Sequence, residues 1–194
     1  TLPIETFPGK IVVIDNERDA DNAVLQLNNE RIIGFDTETR PTFKKGKSNH
    51  VALIQLSTHD TCYLFRINRI GFTPAIKNLL ENESLLKVGI SLKDDFCMLS
   101  RLNGGQFIPR NFIELQKFVK KYNIEDQSLQ KIYGIVIGKK ISKGQRLSNW
   151  EADHLTENQQ LYAATDAWSC IKIYEVLKSG KFKSPIYKIQ PSSL

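Results

Sequence analysis

Two β-branched, apolar runs, VALIQLS (Val51–Ser57) and TCYLFR (Thr61–Arg66), are separated only by Thr58, His59 and Asp60. So short a link cannot carry the chain across a sheet, so the runs must pair as antiparallel neighbours. Further strands are expected at Ile11–Ile14, Ile32–Glu38 and Leu85–Ile90. Asp19 is a candidate cap for a helix to about Asn29. Thr73-Pro74 opens a helix through Leu80, with proline where its missing N–H has no partner to lose. Ser91 with Asp94 reads as a capping box, and Thr156 with Gln159 as a second that opens a long helix to about Leu177. Ser128 begins a helix to about Ile137, whereas NFIELQKFVKKY (Asn111–Tyr122) fits either a strand or a helix. An early hairpin followed by helices predicts an α/β fold with a mixed central β-sheet flanked by α-helices.

The 194 residues suit a single domain spanning 1–194, closed by a loosely packed, proline-containing tail at 181–194. Hydrophobic residues at 41% and charged residues at 25% leave room for a real core. The net charge of +6, with a pI near 9.2, favours a polyanionic partner. Cys62, Cys97 and Cys170 are isolated in apolar surroundings and are expected to be buried free thiols. Neither they nor His50, His59 and His154 have zinc-ligand spacing. No run approaches the ~20 apolar residues that span a bilayer, and no signal peptide is evident, so no membrane association is expected. The expected location is cytoplasmic, or nucleoid or nuclear in a eukaryote.

Three places set acidic residues at a strand end or on a helix. In GFDTETRP (Gly34–Pro41), Asp36 and Glu38 alternate with Thr37, so both carboxylates face the same side of a strand. Asp94 and Asp95 fall in a first helical turn, where the helix dipole favours them. Tyr162 and Asp166 are one turn apart on the long helix and face the same way. Singly, each has an ordinary explanation: a surface strand end, an N-terminal pair, a carboxylate bonded to a tyrosine. Converging carboxylates raise one another's pKa unless a cation lies between them.

Together these segments resemble the DEDD superfamily of 3′–5′ exonucleases, in the tyrosine-containing branch of Werner-type exonucleases and ribonuclease D. FDTETRP matches the first motif, KVGISLKDDF the second and LTENQQLYAATDAW the third, and VALIQLST, CYLF and RLSNW extend the likeness over about residues 10–178. Werner-type domains are the nearer likeness. The resemblance implies a ribonuclease H-like fold and a catalytic set of Asp36, Glu38, Asp95, Tyr162 and Asp166. Asp95 is preferred over Asp94 because the family's aspartate precedes a bulky apolar residue, here Phe96. Asp94 stands where the family often has glycine or asparagine, and is expected to serve as the cap partner of Ser91.

By the same resemblance, Asp36, Glu38, Asp95 and Asp166 hold two divalent metal ions, Mg²⁺ or Mn²⁺. Oxygen ligands suit hard cations. Two ions about 4 Å apart clamp a scissile phosphate, one acidifying water and the other stabilising the leaving oxygen. Tyr162 then positions the attacking water. The expected substrate is nucleic acid, with DNA favoured over RNA. Basic loops at Arg40–Asn49 and Gly138–Asn149 offer Lys44, Lys45, Lys47, Lys139, Lys140, Lys143 and Arg146 to phosphates. Of these Lys44, Lys45 and Arg146, together with Thr37, are the candidate nucleic-acid contacts. Phe43 suits base stacking or a core contact equally, and Trp150 suits packing. The alternatives are an exoribonuclease, a non-catalytic nucleic-acid-binding domain and a hydrolase of small phosphoesters. The sequence leaves open whether a helicase or repair partner exists.

Overall fold

The computed structural model describes residues 1–184. Strands β1 (Lys10–Ile14), β2 (Ile32–Thr39), β3 (Val51–Ser57), β4 (Thr61–Phe65), β5 (Leu86–Gly89) and β6 (Phe112–Glu114) form one sheet in the order β1-β4-β3-β2-β5-β6. The hairpin β3–β4 is antiparallel, as its short link requires, and so is β2–β3. β1 runs parallel to β4, β5 to β2, and β6 to β5. The expected mixed sheet is therefore present, and its middle strand β3 is buried at every position.

The helices are α1 (Glu17–Leu27), α2 (Ile67–Ile70), α3 (Pro74–Leu80), α4 (Leu92–Leu102), α5 (Leu115–Phe118), α6 (Leu129–Ile137) and α7 (Glu157–Lys178). One core cluster joins Ile33 and Phe35 of β2 to Ala20 and Leu27 of α1 and Ile76 of α3. Along β2 the intervening Gly34, Asp36 and Glu38 point to the other face. There α7 lies so close that a Cβ on Gly34 would sit 1.9 Å from the Ala167 carbonyl oxygen. Only glycine permits this backbone contact, and Ala163, Ala164 and Ala167 keep the helix side thin.

Several local expectations change. Asn16, not Asp19, caps α1: its side chain accepts from the Asp19 N–H at 2.8 Å, so the helix starts a turn earlier. Ser91 and Asp94 form no capping box. Ser91 adopts the left-handed conformation (φ 54°) and its side chain caps nothing. Glu114 instead accepts from the Ser91 and Leu92 N–H groups at 2.9 and 3.0 Å. The ambiguous segment after residue 111 is both things in turn: β6, then α5, then a 3₁₀ turn at Val119–Tyr122. Cys62 and Cys170 are buried, but Cys97 is exposed on the outer side of α4. Of the tail, residues 185–194 lie outside the described part. Phe182 packs at 6.4 Å from the Tyr122 ring, so the chain is held at least that far.

The residues before β1 strap the α7 side. Glu5 N–H donates to the Lys140 carbonyl at 2.8 Å, and Phe7 N–H to Thr165 Oγ1 at 2.9 Å. The Phe7 ring meets Trp168 edge-on. Glu5 also pairs with Lys139 and Lys172, which ties the strap to both the second basic loop and α7. Among the described residues, no helix is long and apolar enough to cross a membrane.

Candidate active site

Backbone contact between β2 and α7 brings three carboxylates together. Oxygens of Asp36, Glu38 and Asp166 all lie within 4.8 Å of one another. Beside them, fully buried Gln55 stands opposite Asp36 in the β2–β3 register. Its Nε2 donates to Asp36 Oδ2 and Glu38 Oε1, each at 3.4 Å. Asp95 reaches the same cleft from α4, held by the Thr37 hydroxyl, which donates to Asp95 Oδ1 at 2.7 Å. Asp94 is exposed at the rim. The alternation that turns Asp36 and Glu38 towards α7 thus turns Thr37 towards α4, and one strand organises both groups.

Tyr162 completes the cleft, which has a volume of about 310 Å³. Its ring stacks on Trp150 at 6.0 Å and 28°. Trp150 is fully buried, so the RLSNW segment supports the tyrosine by packing, as expected. Arg146, at the exposed end of that segment, is the cation whose charge reaches Tyr162. Lys44 and Lys45 are exposed on the first basic loop and do not line the cleft. Phe43 is 87% exposed, which removes the core alternative for it.

The electrostatics are those of crowded anions. Burial, then the neighbouring charges of Glu38, Asp166 and Asp95, drive the Asp36 carboxyl well above the ordinary range. Glu38 moves the same way, by burial and then Asp166 and Asp95, opposed by the Gln55 bond. Burial pushes Asp166 up to about 8, with the nearby Tyr162 hydroxyl opposing it. Asp95 rises to about 7 for the same first reason, against the Thr37 hydrogen bond. Burial and the carboxylates raise Tyr162 as well, so its phenol stays protonated at neutral pH.

These residues fit a cation. Asp166 Oδ1 is buried without any hydrogen-bond partner, and three carboxylates of one sign share a space that hard divalent ions favour. Such burial of anions is unfavourable unless positive charge joins them.

Sequence reasoning missed Gln55 and Glu114. A glutamine inside the apolar run VALIQLS was a signal for the first, since buried amides need partners. Nothing local marked Glu114, whose role depends on the pairing of β5 with β6.

A carboxylate-lined cleft at the edge of β2 in a mixed, helix-flanked sheet defines the class of ribonuclease H-like, metal-dependent nucleases. A profile described as "3'-5' exonuclease" matches residues 11–180, and the chain belongs to that family, in its DEDD superfamily. It is 35% identical over 193 residues to the mouse (Mus musculus) bifunctional 3'-5' exonuclease/ATP-dependent helicase WRN, a match covering 91% of this chain and 13% of that protein. The chain therefore spans a small fraction of that relative. The Nibbler EXO domain of Aedes aegypti superposes with a TM-score of 0.80 at 22% identity, over 93% of this chain and 95% of that one. Escherichia coli RNase D, an exoribonuclease involved in structured RNA processing, gives 0.77 at 20% identity, over 89% and 45%. These two likenesses establish the fold.

Proposed function

We propose that this protein removes nucleoside monophosphates one at a time from the 3′ end of DNA, with two divalent ions, Mg²⁺ or Mn²⁺, held by Asp36, Glu38, Asp95 and Asp166. The observation that carries this reading is the mutually repelling carboxylate cluster with its orphaned Asp166 oxygen. A binding-only or scaffold domain has no use for such a cluster. Divalent ions there would supply counter-charge to the carboxylates, acidify water and stabilise the departing 3′-oxygen.

The chain's own groups do the rest. Asp36, on which the charges of Glu38, Asp166 and Asp95 all act, would hold the ions together with those residues, and the Thr37 hydroxyl would keep Asp95 oriented for that role. The Tyr162 hydroxyl, protonated and backed by Trp150, would hold the attacking water by a hydrogen bond. Arg146 would receive a substrate phosphate beside Tyr162. Lys44 and Lys45 would meet phosphates further out, on the exposed first loop. Thr37 would contact the terminal nucleotide through its hydroxyl oxygen's free lone pair, because its proton already goes to Asp95.

The choice of DNA rests on the Werner-type likeness. The RNase D likeness favours a second reading, an exoribonuclease, because two-ion cleavage does not exclude a 2′-hydroxyl. A 5′-labelled strand of each chemistry, incubated with Mg²⁺ or with EDTA, separates them. Stepwise shortening of DNA that requires the ion is the expected result. Shortening confined to RNA would transfer the assignment, and none with either strand would remove it.

A further inference from the structure

Two depressions with lysines in their lining adjoin the catalytic cleft and offer a strand held by its 3′ end a way out; a further one shares Tyr162 with the cleft, but its only charged lining residue is the acidic Glu5. The first shares Ser91 and Asp94 with the cleft and continues past Phe96 and Phe112. Its charges balance: Lys93 and Lys117 face Asp94 and Glu114. The second shares Gln130, on α6, with the cleft and runs between α6 and the second basic loop, with a volume of about 500 Å³. Ile4 and Ile141 line it together with Lys131, Lys140 and Lys143, and no acidic residue does. None of these lysines joins an ion pair among the described residues, and all are exposed.

We infer that the groove of Lys131, Lys140 and Lys143 carries the sugar–phosphate backbone of the substrate strand on the 5′ side of the terminal nucleotide. The inference rests on the exonuclease reading and adds to it the path of the strand. Like-charged ammonium groups around one groove repel unless a polyanion lies between them, and a phosphodiester backbone is the anion that would also thread the adjoining cleft. Lys131 is the informative member. It lies on α6, and the chain turns back at Gly138 after that helix so that Lys131, Lys140 and Lys143 line one groove. The strap supports the opposite wall through its pairing with Lys140, and Ile4 gives the sugars an apolar edge.

The test uses the whole chain. Binding of a 5′-labelled single strand of about 12 nucleotides is followed against salt with Ca²⁺ present, for wild type, for Lys131→Gln/Lys140→Gln/Lys143→Gln, and for Lys93→Gln/Lys117→Gln. The groove variant should bind on the order of tenfold more weakly at physiological salt, and its log Kd against log salt should flatten by about 2, at ~0.7 per contact for single strands. The same variant should lose more in kcat/KM on the long strand than on a dinucleotide, which is too short to leave the cleft. If the Lys93/Lys117 variant carries the loss instead, or if the groove variant keeps the wild-type slope, the path is wrong. A wild-type protein that binds the strand with the expected slope but never shortens it overturns the exonuclease reading and leaves the groove standing.

Discussion

At the scale of single residues, the site is governed by a conflict that its own fold creates. Asp36, Glu38 and Asp166 are placed where each disfavours ionisation of the others. In the metal-free protein all four carboxyls have folded-state pKa values raised above the unfolded ones, so the native state holds protons that the unfolded chain releases. The contribution of these groups to stability is then fully present at low pH and is lost as pH rises through the folded values, which reach about 7 for Asp95 and about 8 for Asp166. Thermal melts in EDTA should show Tm falling between about pH 5 and about pH 8, and Mg²⁺ should raise Tm more at the upper end. A melt that ignores pH across this window would refute the raised carboxyl pKa values, which burial causes first and neighbouring charges second. Asp36→Ala should relieve the repulsion, raise metal-free Tm at neutral pH and abolish cleavage. Tyr162→Phe should cut kcat on the order of a hundredfold. Its Mg²⁺ affinity, read by calorimetry, should stay near wild type, because the phenol is not counted among the ligands.

At the scale of elements, what the sequence disclosed was whatever local pattern decides. The hairpin link fixed the direction of β3 against β4, Thr73-Pro74 and the Thr156–Gln159 box marked their helices, and the alternation in β2 sent Asp36 and Glu38 to one side. Ser91 misled because its partner is remote: Glu114, on β6, takes the capping role that Asp94 was expected to fill. Gln55 was overlooked for a similar reason, since its meaning depends on standing across from Asp36. Both belong to pairings that only the assembled sheet defines. Glu114→Ala should cost about 1 kcal/mol in urea unfolding, the usual worth of a cap. It should also lower kcat, because α4 carries Asp95. Gly34→Ala should be more severe, about 2 kcal/mol or beyond, because the new methyl meets the Ala167 carbonyl rather than a yielding side chain. Equal stability in that variant would show that α7 can retreat freely.

At the scale of the molecule, the strap, the second basic loop and α7 form one connected unit. Glu5 pairs with Lys139 and Lys172, and Phe7 reaches Thr165 and Trp168. Removing residues 1–8 should therefore lower Tm and raise KM for a long strand several-fold, since the loop bearing Arg146 loses its anchor; an unchanged KM would show that the loop holds itself. The backbone contact at Gly34 has a further consequence. Because peptide atoms rather than side chains set how far the strand stands from the helix, the distance across the cluster works as a fixed gauge. Rotamer changes elsewhere in the interior cannot reset it. An effort to refit the cleft for a broader guest ion would have to begin at Gly34 and Ala167, where the calibration resides, and leave the ligating groups alone.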